Sequence, residues 1–306
     1  MNIVITSPSF SKNRHLVKEV LRFFPNAKFN TEGTLFTKQE LIAFLKGHEC
    51  AIVGLDKIDN EVLDNCPELK YISKYGVGLD NIDLEECEKR DIGIGWTGGV
   101  NKLSVAEMVL GFMLMLSRNL ALTSTQLKSG TWNKNGGFQL TGKTIGIIGV
   151  GNIGKEVVRL LKPFGCTILV NDIVDQKEYY EQNNLIELPR DEIFEKADLI
   201  TLHTTLDNDT KNLICLESLK SMKNSSYIIN TSRSGVVNEE DLKYALQNDL
   251  ISGAAIDVYA SEPPSDYELL SLPNLICTPH IGGNAVEAVE AMGLSAIKHV
   301  RKYYGI

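Results

Sequence analysis

The sequence predicts an α/β protein built from two doubly wound parallel-sheet domains. Short apolar runs alternate with charged stretches of helical spacing along most of the chain, the pattern of parallel strands covered by helices. A glycine-rich turn, Gly146-Ile-Ile-Gly149-Val-Gly151-Asn-Ile-Gly154, sits mid-chain, and the same alternation fills the sequence before it. The chain is therefore expected to fold one domain, cross to a second and return, with a cleft between the two. Its length of 306 residues is ample for two cores.

In chain order, residues 3–6, 51–55, 71–73 and 92–95 read as strands separated by charged helical stretches, a βαβα order that implies a parallel sheet. Asp80-Asn81-Ile82-Asp83 offers capping side chains for a short helix over 84–90. Residues 1–100 thus predict a small flavodoxin-like domain. Residues 101–118 read as a helix that is apolar nearly all round, with Leu103, Val105, Ala106, Met108, Val109, Leu110, Phe112, Met113, Leu114, Met115 and Leu116 spread about its axis, so it needs cover on every side. The polar, glycine-bearing segment 127–140, with Trp132 inside it, reads as a projecting arm. Together the helix and arm predict a homodimer contact, with packing between domains as the alternative.

Residues 143–150, 155–163 and 166–170 read as strand, helix and strand, which places the glycine turn in a βαβ unit. Gly149 permits the tight turn, Gly151 lets a pyrophosphate approach the backbone, and Gly154 allows the helix to pack closely on the strand. Asn152 and Ile153 open that helix, whose unpaired N–H groups face the phosphates. Asp172, 23 positions after Gly149, is placed to accept hydrogen bonds from the adenine ribose. A carboxylate there repels a 2'-phosphate, so the expected cofactor is NAD rather than NADP. Further strands are expected at 199–203, 227–231, 251–257 and 275–278, and in such a sheet ligands bind beyond the carboxyl ends of the strands. His203, Thr204, Thr210, Thr231, Ser232, Gly282 and Gly283 lie at or beyond those ends and are assigned to the cofactor, as is Asp257, a partner for the nicotinamide carboxamide. Residues 283–304 carry Val286, Val289, Met292, Ile297 and Val300 at helical spacing and are expected to return to the first domain. The resulting scheme is a Rossmann NAD domain, 101–283, inserted in a substrate domain of 1–100 and 284–306.

Three strand-end segments bear groups suited to hydride-transfer chemistry: Arg233, Glu262 and His280. Reduction of a 2-keto acid needs a group that holds the carboxylate and polarises the ketone, a task that suits the planar fork of Arg233. It also needs a proton donor to the forming alkoxide, which suits the His280 imidazole, since histidine exchanges protons near neutral pH. Glu262 is the expected partner that fixes the ring.

Composition narrows the partners. A net charge of -8 argues against nucleic acid or an anionic membrane surface, and an anionic substrate would need a local positive patch. The six cysteines form no CxxC pair and neighbour no histidine cluster, so a reduced cytoplasmic protein without a metal site is expected. The start, Met1-Asn-Ile-Val-Ile-Thr, resembles a first strand rather than a signal peptide, and the apolar stretch 108–116 is too short to cross a bilayer.

Over essentially its whole length the chain resembles the short form of the D-isomer-specific 2-hydroxyacid dehydrogenases. The resemblance is carried by Lys74-Tyr-Gly76-Val-Gly78-Leu-Asp80-Asn-Ile-Asp83, Asn101 with Ser104-Val-Ala-Glu107, the glycine turn, His203, Asn230 through Gly235, Asp257 with Glu262-Pro263, and Pro279-His280. It implies a catalytic trio of Arg233, Glu262 and His280, binding of the substrate carboxylate by the backbone of Gly76, Val77 and Gly78, an Asn101 near the substrate, and a dimer. Around Lys74 the resemblance is to phosphoglycerate dehydrogenases, with lysine where arginine is usual. Lys74 is thus expected to meet a substrate phosphate, and 3-phospho-D-glycerate, with a place in serine biosynthesis, is the first substrate to test. Glycerate, glyoxylate and lactate are alternatives within the class, and an NAD(H)-sensing binding protein is an alternative outside it. The sequence stops at Ile306, so the serine-binding regulatory domain of longer relatives is not expected. Ser234 stands where the family usually has glycine, and would be strained if that position required a positive φ.

Overall fold

The computed structural model describes residues 1–306. It divides into two compact units, Met1–Asn101 with Asn284–Ile306, and Lys102–Gly283. Each contains one wholly parallel sheet, so the α/β class with two doubly wound sheets is observed.

The first unit has strands β1 (Ile3–Ile5), β2 (Lys28–Phe29), β3 (Cys50–Val53), β4 (Tyr71–Lys74) and β5 (Gly93–Gly95). Their order, β2-β1-β3-β4-β5, is the flavodoxin-like arrangement. Alternate residues feed two cores: Val4, Ala51 and Val53 join Leu41, Leu45 and Leu63 on one face, while Ile3, Ile5 and Ile52 join Phe10, Leu16 and Val20 on the other. The second face is closed by the helix Val286–Tyr304, through Met292, Ala296, Ile297 and Val300. Ser73 Oγ donates to the carbonyl of Ala296 at 2.9 Å, stitching this helix to β4. The helix begins at Val286, the first of the apolar positions that predict it, within the expected stretch 283–304. Asp83 caps the short helix Leu84–Lys89 by accepting from the amide of Glu86.

The second unit has strands β6 (Thr144–Ile148), β7 (Thr167–Asn171), β8 (Ile186–Glu187), β9 (Leu199–Leu202), β10 (Tyr227–Asn230), β11 (Gly253–Ile256) and β12 (Leu275–Cys277). The order β12-β11-β10-β9-β6-β7-β8 reverses direction between β6 and β9, the crevice of a Rossmann sheet. β2 and β8 were not among the expected strands; each is a two-residue edge strand, too short to carry an apolar alternation.

Helix Lys102–Ser117 packs against Asn152–Leu161, burying Val105, Val109, Phe112 and Met113 with Val157, Val158 and Leu161. Leu103 is left exposed. The expected arm starts later than residue 127. Leu120–Lys128 is a second helix, bent 63° from the first after Asn119 takes a left-handed conformation, and only residues 129–143 lack regular structure. No single helix is long and apolar enough to cross a membrane.

Candidate active site

β6 ends at the glycine turn, on the switch between the two halves of the sheet. Gly149 has φ +93°, and a Cβ there would lie 2.5 Å from the carbonyl oxygen of His203 beyond β9. Gly154 meets the opposite constraint, since a Cβ would lie 2.2 Å from the Gly149 carbonyl. Gly151 faces open space and precedes the helix Asn152–Leu161 with no side-chain cap. The first amides of that helix therefore have no protein acceptor and present a positive dipole end. Asp172, just past β7, accepts from the amides of Val150 at 2.5 Å and Val174 at 2.9 Å. The carboxylate is thereby held beside the turn, with lone pairs left for ribose hydroxyls.

Three buried polar atoms around the crevice lack protein partners: His203 Nδ1, Thr204 Oγ1 and Thr231 Oγ1. Buried polar groups normally find partners, so these suit a ligand that brings its own donors and acceptors. Together with the uncapped helix and the open face of Gly151, they fit a nicotinamide dinucleotide. Burial pushes the His203 imidazole down to about 3 from an ordinary 6.5, while Nε2 lies 3.0 Å from Thr201 Oγ1. The unfolded chain takes up that proton first. The contribution of the neutral buried ring is therefore complete above pH 6.5 and is lost as the pH falls toward 3. His203→Gln is expected to flatten the acid limb of stability in this window, measured by urea unfolding at stepped pH; an unaltered limb would show that other groups govern it.

The other strand ends carry the chemical groups. At the end of β10, Asn230 is buried and organises the turn: Oδ1 accepts from the amide and hydroxyl of Ser232 at 3.0 and 2.8 Å, and Nδ2 donates to the Arg233 carbonyl at 2.9 Å. Arg233 is half-buried, with Nη1 donating to the Ser232 carbonyl at 2.9 Å. Ser234 does not have a positive φ and starts a 3-10 turn, so serine there is unstrained.

Beyond β11, Asp257 is 1% exposed and receives Thr278 Oγ1 at 2.6 Å and the amides of Ile281 and Gly282 at 2.8 Å. It thus clamps the turn after β12, where His280 has φ 53°. Such a backbone costs an ordinary residue free energy and persists where surrounding bonds enforce it. His280 Nδ1 lies 2.8 and 2.9 Å from the two oxygens of Glu262. A carboxylate there accepts the Nδ1 proton, which leaves Nε2 as the ring nitrogen for proton exchange. Tyr259 ties the two loops together: its amide donates to Glu262 at 3.3 Å and its hydroxyl to the Thr278 carbonyl at 2.8 Å.

Several residues assigned from sequence sit differently. Thr210 is buried and bonds within its own loop, donating to Thr205 O at 2.7 Å and accepting from the Asp207 amide at 2.8 Å, so it shapes the loop. The Ser232 hydroxyl is likewise held by Asn230. Gly282 is buried, with its amide on Asp257 and its carbonyl receiving Ser104 Oγ at 2.6 Å, so it fastens the turn to helix Lys102–Ser117. Gly283, the last residue of its unit, is half-buried. Asn230 and Tyr259 were missed as positioning groups. An asparagine at a strand end with serine two residues on is a detectable signal for the first; the second reveals itself only through a contact across 19 residues.

In the first unit, Gly76, Val77 and Gly78 follow β4, and their amides donate to no protein acceptor. Gly76 has φ 138°, with the Lys74 stem 3.1 Å from where its Cβ would stand. Lys74 itself is 5% exposed, and its ammonium donates to the Gly54 carbonyl at 2.6 Å and Asn81 Oδ1 at 2.5 Å. The expected phosphate ligand is therefore a buried cation beneath the loop. Asn101 is buried and its Oδ1 has no partner. No group of three or more His, Cys, Asp or Glu side chains is gathered as a metal site.

Residues 110–282, more than half of the chain, match the model of the D-isomer specific 2-hydroxyacid dehydrogenase NAD-binding domain. This chain belongs to the D-isomer specific 2-hydroxyacid dehydrogenase family. It is an oxidoreductase of the CH–OH group that uses a nicotinamide dinucleotide. Among similar dehydrogenases, the D-3-phosphoglycerate dehydrogenase of Methanocaldococcus jannaschii is 37% identical over 88% of this chain, which spans 52% of that relative. The hydroxypyruvate reductase of Thermotoga maritima is 35% identical, with 88% of this chain and 89% of the relative covered. The crystal structure of Aquifex aeolicus D-lactate dehydrogenase complexed with NAD and lactic acid superposes with a TM-score of 0.86 at 26% identity, covering 99% of this chain and 96% of that one.

Proposed function

We propose that this 2-hydroxyacid dehydrogenase interconverts a short, unphosphorylated D-2-hydroxy acid and its 2-keto acid, of the hydroxypyruvate or glyoxylate type. The observation that carries the substrate class is the burial of Lys74. A lysine committed to Gly54 and Asn81 offers no exposed charge to a phosphate. The dinucleotide, when bound, supplies or accepts the hydride. Arg233 holds the substrate carboxylate and polarises the ketone, the amides of Gly76, Val77 and Gly78 receive the carboxylate, and Asn101 offers its side-chain amide. His280 Nε2 gives a proton to the forming alkoxide, while Glu262 holds the ring. Asp172 sets the preference for NAD.

One observation favours 3-phosphohydroxypyruvate instead: the Methanocaldococcus relative is named for phosphoglycerate. Following NADH oxidation with 3-phosphohydroxypyruvate, hydroxypyruvate, glyoxylate, pyruvate and branched keto acids separates the two. Hydroxypyruvate or glyoxylate is expected to give the highest kcat/KM, and a preference above tenfold for the phosphorylated acid would return Lys74 to the substrate. Tight NADH binding with no turnover of any acid would instead point to a sensing protein. A homodimer is proposed from Leu120, Leu127 and Trp132, exposed residues that line one hollow.

A further inference from the structure

The loop Gly76-Val77-Gly78 is held from one side by an indole. Trp96 Nε1 donates to the Val77 carbonyl at 2.8 Å. That peptide is trans, so the Gly78 N–H points opposite to the Val77 C=O. Fixing the carbonyl toward Trp96 therefore fixes the Gly78 amide pointing away from the indole, and that amide donates to no protein acceptor. Val77 is otherwise unanchored, whereas Gly76 rests on the stem of Lys74.

Trp96 is itself secured on both flanks. It follows β5, where Gly95 lies so close to the helix Val286–Tyr304 that a Cβ would stand 2.6 Å from the Cβ of His299 and 2.5 Å from the Tyr71 hydroxyl. On its other side Thr97 Oγ1 lies 2.7 Å from His299 Nε2. The backbone that carries the indole is thus fastened to the C-terminal helix on each side of residue 96. The ring is 42% exposed, and its one polar atom is committed to the Val77 carbonyl.

We propose that Trp96 is a positioning residue for substrate: its indole N–H orients the Val77–Gly78 peptide so that the Gly78 amide faces the carboxylate of a 2-keto acid. This rests on the reading of Gly76, Val77 and Gly78 as the carboxylate site. The residue touches the loop and not the substrate, so it acts on binding of the acid and leaves the dinucleotide alone.

The test is Trp96→Phe, which keeps an aromatic ring and removes the donor. The KM for the preferred keto acid is expected to rise about tenfold. The KM for NADH and the melting temperature are expected to stay within about twofold and a degree or two of the parent. A separate measurement uses Trp132→Phe, which leaves Trp96 as the only tryptophan of the two in the chain. Titration of this variant with oxamate, a 2-keto acid analogue, is expected to change its fluorescence. An unchanged keto-acid KM in Trp96→Phe, with normal turnover by the parent enzyme, overturns the role of Trp96 and leaves the proposed function standing. A parent that neither turns over any keto acid nor responds to oxamate overturns the carboxylate site and this inference with it. If Trp96→Phe loses stability and raises both KM values together, the indole is a packing residue and the proposal fails.

Discussion

His280→Ala is expected to lower kcat for keto-acid reduction by about a thousandfold, or ~4 kcal/mol of transition-state stabilisation, with little change in NADH affinity. The magnitude follows from losing a positioned proton donor, and the selectivity from topology. The imidazole stands beyond β12 at one edge of the sheet, while the glycine turn that would receive phosphates lies beyond β6 at the central crevice. Glu262→Gln is expected to have a smaller effect, about tenfold to a hundredfold, because the amide still reaches Nδ1 but no longer enforces the proton there. The double variant should be no worse than His280→Ala alone, since Glu262 acts through the ring. Steady-state kinetics with the best keto acid provide the check, and near-normal turnover by His280→Ala would remove it from the reaction.

Gly149→Ala is expected to destabilise the second unit by about 3 kcal/mol and to abolish measurable NADH binding at micromolar cofactor. Two penalties combine: the φ of +93° is unfavourable for any side chain, and the added methyl would lie 2.5 Å from a backbone oxygen of His203, which cannot swing away. Relief requires β6 and β9 to separate at their carboxyl ends, the crevice a dinucleotide needs. Gly151→Ala should be milder in stability, because nothing lies within 4 Å of the new Cβ, yet it places a methyl where pyrophosphate would approach. Thermal unfolding and NADH fluorescence titration distinguish these outcomes. A Gly149→Ala protein that melts with the parent and binds NADH would show that the turn tolerates a side chain.

The local sequence carried more of the dinucleotide site than of the chemical site. Gly149, Gly151, Gly154 and Asp172 are legible because each answers a constraint set within one βαβ unit, where spacing along the chain equals position in space. Arg233, Glu262 and His280 were singled out by chemical type and strand-end position. Strand ends were placed to within a few residues: β10 stops at Asn230 and β12 at Cys277, close to the expected limits. The two-residue strands β2 and β8 stayed hidden, since pairing with a neighbour defines them and no periodicity does.

What the sequence by itself determined is the fold class and the crevice motif, and it singled out Arg233, Glu262 and His280 as candidates for the chemistry, because those follow from local periodicity, turn chemistry and functional-group type. Tertiary structure alone decided where each polar side chain directs its hydrogen bonds. It turned Lys74 inward to Gly54 and Asn81, engaged Thr210 and Gly282 within the protein, set Asp257 and Tyr259 around the His280 turn, and aimed Trp96 at Val77. A buried donor or acceptor must be satisfied by whatever group the fold brings within about 3 Å, and the identity of that group is set by packing between distant segments rather than by neighbours in the chain.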